Sequence, residues 1–413
     1  MRQFLLLGVL CALCSPALLP REIPLQDYAA RRAELRKNLD GTLVLFGNTE
    51  GPDDLYGFIQ EPNFYYLTGW SEPGALLVMT RSSEQLFLPH HNEYMEHYGG
   101  RKVSAEDADA KQKTGFADVL PIERFEGELT RALGSGPKVY ALKNQEQTAK
   151  LASFLQFRAI SDAAPVIAKL REKKSPAEIE AIQHATDVSV EAHRAAWKRM
   201  RPGVYEYQVA ASLMDVFMNN GCPRGAYAPI VGSGPNSTVL HYSENRRRMD
   251  RGEVVVVDAA AECDSYASDI TRTAPVGGTF SARQREIYNI VLGAQKAAIA
   301  AVKPGITYGE LNKIAKDYIG SHGKDLHGEP LGKYFIHGLG HNVGIDVHDP
   351  PALAGPDKLE ANMVITVEPG IYIPEESIGV RIEDVVLVTD TGAKVLSAAL
   401  PKEADEIEKA LAQ

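Results

Sequence analysis

The sequence predicts an α+β chain of two domains: a smaller mixed α/β domain over residues 18–165, then a larger domain over residues 170–413 built from two similar halves. Three observations carry this expectation. At 413 residues the chain exceeds what one compact core holds. Its composition, 44% hydrophobic and 24% charged, is that of a soluble globular protein. The C-terminal part also repeats itself: a long helix, a proline-glycine stop, a second helix, then two strand-like runs that each carry a carboxylate.

Residues 1–17 read as a secretory signal peptide. Met1-Arg2 gives a charged start and residues 4–14 an apolar stretch too short to span a bilayer. Ser15-Pro16-Ala17 supplies the small residues a signal peptidase reads. A lipoprotein signal fits poorly, because Leu10 and Leu13 precede Cys11 and Cys14 where a small residue is wanted. The expected location is secreted or periplasmic, with no membrane attachment once the segment is removed; an uncleaved tail would leave the chain cytoplasmic. Cys222 and Cys263 would then remain, either as two small buried residues or as one disulfide, and the sequence leaves both open.

Residues 29–39 have helical spacing. Residues 41–46 (GTLVLF), 75–79, 84–88 and 139–142 read as strands, and 145–155 as a helix. No catalytic pattern appears here, and the adjacent His90 and His91 read as a loop after a strand. Between residues 161 and 175 the composition changes from apolar to charged. Ser175-Pro176-Ala177-Glu178 then opens a helix: Ser175 caps, Pro176 takes the first turn and Glu178 closes the box. That helix should run to about residue 200 and stop at Arg201-Pro202-Gly203. A second one, over 282–302, precedes Lys303-Pro304-Gly305. A net charge of −10, with one short basic run at residues 246–248, argues against a nucleic-acid partner.

Residues 253–258 (EVVVVD) read as a buried strand and 266–273 (YASDITRT) as the next, a hairpin bringing Asp258 and Asp269 to one level. Residues 363–368 (MVITVE) and 379–388 (GVRIEDVVLV) repeat the design with Glu368 and Glu383. A lone charge beside such runs is costly to bury. Four converging carboxylates repel one another unless cations lie between them. HGLGHNVGIDVHD adds His337, His341 and His348, and VLHYSEN adds His241; Gly338, Gly340 and Gly344 let the backbone turn tightly and approach a site closely. Four carboxylates with the His341 imidazole suit a pair of divalent ions such as Mn, Co or Zn, so two-metal hydrolysis is the expected chemistry. Rival motifs are missing: there is no HExxH, no GxSxG, and VGSGPN lacks the third glycine of a dinucleotide loop.

HYSEN, SYASDITRT, HGLGHNVGIDVHD, VEPGIY and VRIED, in that order, resemble the metallopeptidase family of aminopeptidase P and prolidase. Residues 56–78 resemble the N-terminal domain of aminopeptidase P. The resemblance implies a pita-bread catalytic domain, a pseudo-twofold curved antiparallel sheet with helices outside, behind a creatinase-like α/β domain. It implies two divalent ions, most often manganese, held by Asp258, Asp269, His341, Glu368 and Glu383, with Asp269 and Glu383 bridging. His241, His337 and His348 would be pocket residues that position substrate or stabilise the tetrahedral intermediate, Glu368 would carry the proton, and Arg381 would pair with a site carboxylate. The implied activity is removal of an N-terminal residue that precedes proline. A prolidase limited to Xaa-Pro dipeptides, a metal-free binding module and C–N hydrolysis of a small non-peptide such as creatine are the alternatives. Implied partners are peptides with proline second and further copies of the chain, as a dimer or tetramer. DAAAEC stands where the family shows a DAG-like turn before an aromatic, and TAP where TFP is common; both bear on pocket shape rather than on ligands.

Overall fold

The computed structural model describes residues 23–50, 57–135, 138–155 and 158–412. The signal-peptide assignment, with Cys11 and Cys14, lies outside the described residues. No described helix is long and apolar enough to cross a membrane.

The N-terminal part holds a six-stranded sheet of β1 (Gly41–Phe46), β2 (Leu76–Met79), β3 (Glu84–Leu88), β4 (Val119–Pro121), β5 (Lys138–Ala141) and β6 (Ile160–Asp162), in the order β4-β3-β2-β1-β5-β6. β1 pairs antiparallel with β2 and parallel with β5. All six of its residues are buried, so neither face alternates toward water. His90 and His91 follow β3 in irregular backbone, as expected. His90 lies between Glu106 (3.0 Å) and Glu123 (2.6 Å), and His91 between Glu96 (2.7 Å) and Asp107 (3.1 Å).

The helix Pro176–Arg199 begins as the sequence predicts. Ser175 Oγ accepts from the Glu178 amide, and the Ser175 amide donates back to the Glu178 carboxylate. The Glu178 carboxylate also lies 3.4 Å from buried Arg31, on the first helix (Leu25–Lys37), and accepts a hydrogen bond from Tyr266 Oη. One side chain thus starts a helix and ties the two parts of the chain together.

The remaining strands come in two matching sets. The first has β7 (Arg224–Gly225), β8 (Ile230–Ser233), β9 (Val254–Asp258), β10 (Ala261–Cys263), β11 (Tyr266–Ala267) and β12 (Thr271–Pro275). The second has β13 (Val364–Val367), β14 (Gly370–Ile373), β15 (Ile378–Arg381), β16 (Asp384–Val388) and β17 (Ala393–Val395). Helices Pro176–Arg199 and Glu206–Asn219 pack together in the first half, as do Ala282–Ala301 and Tyr308–Ser321 in the second. Strand faces and inward helix faces share one apolar core, in which Val255, Val257, Ile287, Ile365 and Val386 are buried.

Two strand expectations need correction. Residues 266–273 are not one strand, because β11 ends at Ala267 and β12 begins at Thr271. β11 pairs with β10, whereas β12 pairs with β9 in another sheet, with Thr271 opposite Asp258. Residues 379–388 break in the same way: β15 pairs with β14, and β16 with β13. Asp269 and Glu383 sit in the two breaks. Leaving the ladder frees each carboxylate from the two-residue alternation of a pleated strand.

The halves are joined behind these breaks. Glu383 N donates to Thr271 O (3.0 Å), and Thr273 Oγ1 to Arg381 O (2.9 Å). Arg272 lies fully buried between them. It donates to the Glu383 carbonyl (2.6 Å) and to the Asp384 carboxylate (2.7 Å), which also receives Lys402 (2.6 Å).

Cys222 and Cys263 form a disulfide, with their Cα atoms 4.5 Å apart. It flanks the two-residue pairing of β7 with β10 and closes a loop with a sequence separation of 41. Closing a loop of that size stabilises a fold by about 4 kcal/mol in the chain-entropy account. Reducing it with a phosphine should therefore lower Tm by about 8–16 °C, given the usual unfolding entropy of a domain this large. Calorimetry with and without reductant checks this; identical Tm values would show that the bond constrains nothing.

Candidate metal centre

Asp258, Asp269, Glu368, Glu383, His241, His337, His341, His348 and Arg381 all line one cavity of about 510 Å³. The structure therefore gathers every candidate named from the sequence. A larger hollow, of about 600 Å³ beside Trp70 and Tyr94, lies in the N-terminal part. Among the described residues, the one set of three ligand atoms lying within 4.8 Å of one another is Asp269, His341 and Glu383, in the smaller cavity.

Each carboxylate arrives by its own route. Asp258 ends β9, and Glu368 follows β13 directly. Asp269 and Glu383 project from the two strand breaks. His341 is carried by the glycine-rich loop, which is held against β13: Thr366 N donates to His341 O (2.8 Å), and His341 N to Thr366 Oγ1 (3.0 Å). The glycines allow close approach, Gly344 stands where the backbone bends, and none of the three has a positive φ. A Cβ on Gly340 would fall 2.2 Å from the Thr366 carbonyl oxygen, and one on Gly344 would fall 2.6 Å from the Asp349 carboxylate.

His341 tests whether the site suits a cation. Its Nδ1 lies 3.0 Å from the Asn342 carbonyl and must donate to it. In the neutral ring Nε2 is then a lone pair, facing Asp269 Oδ2 at 3.3 Å and Glu368 Oε1 at 3.6 Å. Three acceptors face one another with nothing positive between them. Tyr227 raises the same difficulty. Its hydroxyl is placed to donate to both Asp258 Oδ1 (2.5 Å) and Asp269 Oδ1, yet has one hydrogen for two carboxylates. An imidazole lone pair whose other nitrogen is fixed by a carbonyl, beside four carboxylates, is the donor set of a divalent-cation site.

The titration of these groups tells the same story. Burial, then repulsion from Asp269 and Glu368, pushes Glu383 well above the usual carboxylate range. Glu368 is pushed up to about 8, mainly by burial; His341 opposes the shift and Asp269 adds to it. Asp258 is also raised by burial, although Arg381 Nη2, 2.6 Å away, pulls it down. His341 is lifted to about 9, because its bond to Asp269 and the charges of Asp269 and Glu368 outweigh burial. Without a metal the cluster takes up protons, which stand in for the missing positive charge.

His337 and His348 stay neutral. Burial lowers His337 to about 4, and burial with the neighbouring His341 lowers His348. His337 Nδ1 donates to the Gly338 carbonyl (2.8 Å), so its Nε2 accepts from Tyr372 Oη (2.9 Å). His348 lies against His341, with ring centres 4.1 Å apart. His241 is exposed at the cavity edge. Arg381 pairs with Asp258, as expected, and also donates to Tyr372 Oη (2.9 Å).

Sequence reasoning missed three residues. Tyr227 links Asp258 to Asp269, Tyr372 links His337 to Arg381, and Thr271 Oγ1 donates to Glu383 (2.6 Å). Tyr372 and Thr271 stand inside VEPGIY and SYASDITRT, so the quoted motifs pointed at them. Nothing in AYAPIV marks Tyr227.

Residues 180–390 match metallopeptidase family M24, and residues 28–140 match the aminopeptidase P N-terminal domain. The chain is 35% identical to a Xaa-Pro aminopeptidase of Haemophilus influenzae, over 94% of this chain and 97% of the relative. It is 36% identical to a Xaa-Pro dipeptidase of Pyrococcus horikoshii, over 82% of this chain and 91% of the relative. Aminopeptidase P of E. coli, solved with the inhibitor Pro-Leu, superposes with a TM-score of 0.84 at 31% identity, covering 95% of this chain and 99% of that one. The gathered carboxylates, the His341 lone pair and these likenesses agree: the chain belongs to metallopeptidase family M24 and carries the N-terminal domain of aminopeptidase P ahead of its catalytic half.

Proposed function

We propose that this protein is a dinuclear-metal aminopeptidase that hydrolyses the bond between an N-terminal residue and a following proline. The observation that carries the reading is that four carboxylates line one cavity with the His341 lone pair, which faces Asp269 and Glu368. Asp258, Asp269, His341, Glu368 and Glu383 would hold two divalent ions, manganese in the first place, with cobalt or zinc as substitutes; Asp269 and Glu383, in the matching strand breaks, would be shared. Bound ions supply Lewis acidity, lowering the pKa of the attacking water and polarising the scissile carbonyl.

The chain's own residues do the rest. Neutral His348 is placed to donate to the oxyanion that develops on the carbonyl oxygen. The proline nitrogen carries no hydrogen before cleavage, so the site needs no acceptor for it. It must deliver a proton as the C–N bond breaks. Glu368 takes the proton released by the attacking water and passes it to that nitrogen. The acidic floor suits the free α-ammonium of the substrate. Arg381 and Tyr372 fix His337, which with His241 lines the proline side.

An aminopeptidase is favoured over a prolidase because the likeness to the Xaa-Pro aminopeptidase runs over 94% of the chain, against 82% for the dipeptidase. The test is a digest of Xaa-Pro and Xaa-Pro-Xaa peptides, with and without chelator. Cleavage of the dipeptide alone would turn the reading to prolidase; cleavage of neither by the manganese-loaded protein would sink it. Fewer than one bound transition ion per chain after loading would favour a binding module. His348→Ala is expected to lower kcat about 100-fold with metal content unchanged; loss of metal would make His348 a ligand instead.

We also propose a secreted or periplasmic enzyme with domains at 18–165 and 170–413. The signal-like start and the Cys222–Cys263 bond support the location, since such bonds persist in oxidising compartments. N-terminal sequencing of protein recovered from culture tests it. Exposed Tyr94, Met95 and Tyr98 support a homo-oligomer, a dimer or tetramer, by offering an apolar face; sedimentation checks this.

A further inference from the structure

The helix Pro176–Arg199 carries a polar stripe that no step above uses. Thr186, Ser189 and His193 are spaced three and four residues apart, so they share one face of the helix, and each is fully buried. That face holds the chain where it passes between sheets. Thr186 Oγ1 meets Ser268 Oγ (2.9 Å), and Ser189 Oγ accepts from the Ala261 amide (2.9 Å). His193 Nε2 lies 3.0 Å from the Ala259 carbonyl oxygen and 3.1 Å from that of Ile270, so it carries a hydrogen shared between them. Ala259 follows Asp258, and Ile270 follows Asp269. One N–H thus holds the main chain beside both carboxylates of the first half.

The second half repeats the arrangement with another residue type. Gln295, fully buried on the helix Ala282–Ala301, donates through Nε2 to the Val367 carbonyl (3.3 Å) and to the Asp384 carboxylate (3.0 Å). Val367 precedes Glu368, and Asp384 follows Glu383. Two unlike side chains therefore make the same kind of contact at matching places. Stability alone does not ask for an imidazole at His193. Its Nδ1 is buried with no hydrogen-bond partner among the described residues, a cost that an apolar side chain of similar volume avoids. Burial, then the charge of Arg272, lowers the ring to about 4, so it stays neutral. We infer that His193 and Gln295 are positioning residues: each fixes the spacing of the two carboxylates of its half, and together they set how the four meet a pair of divalent ions. This rests on the ligand assignment above and deepens it.

The test titrates full-length, chelator-stripped protein with manganese by calorimetry. The loaded protein is then read by electron paramagnetic resonance, in which two manganese ions that share ligands couple magnetically. His193→Leu and Gln295→Met keep the volume and remove the N–H. Each should weaken manganese binding about 10–100-fold and diminish the coupled signal. On a Xaa-Pro peptide kcat should fall while KM stays within about twofold. His193→Gln returns an N–H close to the Nε2 position and should restore binding to within about threefold of wild type. Val188→Ala is the control, since Val188 is equally buried on the same helix; it should lower Tm and leave manganese affinity unchanged. If His193→Leu does not fold, Gln295→Met decides. Wild-type affinity in the apolar variants, no rescue by His193→Gln, or an equal loss in Val188→Ala would overturn the positioning role and leave the ligand assignment standing. Failure of the wild type to bind manganese would overturn both.

Discussion

Asp269→Asn should abolish measurable turnover, a loss of at least about a thousandfold or 4 kcal/mol of transition-state stabilisation, and should lower bound metal. The side chain keeps its shape and loses its charge. Asp269 is the carboxylate nearest the His341 lone pair, gathers with His341 and Glu383 within 4.8 Å, and is one of the two carboxylates sharing the Tyr227 hydroxyl. An amide there turns an NH2 group toward either the imidazole or the tyrosine, and offers one oxygen where two served. The charge of Asp269 helps to raise the pKa of Glu383, Glu368 and Asp258; removing it also removes attraction for the ions the others would hold. Turnover of a Xaa-Pro peptide together with metal analysis decides the matter. Near-normal turnover would contradict the ligand assignment.

Arg272→Met should cost about 3 kcal/mol of stability and lower Tm by about 6–12 °C, although Arg272 touches no ligand side chain. It is fully buried with Asp384 and bonds the Glu383 carbonyl, so it joins the two halves directly behind the metal centre. Methionine fills the volume but leaves Asp384 with Lys402, Gln295 and Ser397 as partners, which keeps the cost at the lower end for a broken buried pair. The effect should depend on pH. Arg272 and Lys402 together outweigh burial and hold the Asp384 carboxyl well below the usual range. A depressed carboxylate contributes stability that is present above its unfolded value and is lost as pH falls towards the folded one. The gap between wild type and variant should therefore narrow between pH 7 and pH 3.5. Urea unfolding at both values measures it; a gap of the same size at both would show that Asp384 is not what the arginine stabilises.

The two substitutions act on features of differing visibility in the sequence. Asp269 was legible because a buried-strand pattern ending in an acid occurs twice, each time with a second acid downstream. The Arg272–Asp384 pair was not, since the two residues lie 112 positions apart and neither stands out in its own segment. Tyr227 was equally hidden. It acquires a role only because the pairing of β8 with β9, Ile230 opposite Asp258, brings the segment before β8 to that carboxylate, and no pattern in its own segment encodes that meeting.

Local chemistry accounts for what the sequence determined alone. Ser175, Pro176 and Glu178 start a helix through bonds that span three residues, so their order in the chain is enough. The same holds for the apolar runs, the five ligand candidates and the order of the two parts. Tertiary structure alone decided where the runs 266–273 and 379–388 break, because each run divides its pairing between strands of separate sheets. It also decided that Cys222 meets Cys263 and that Gly340 and Gly344 are required by neighbours rather than by their own torsions. Backbone preference reaches a few residues along the chain. Which strand, carboxylate or thiol lies opposite is set by the packing of segments far apart in sequence, and the metal centre is assembled from such encounters.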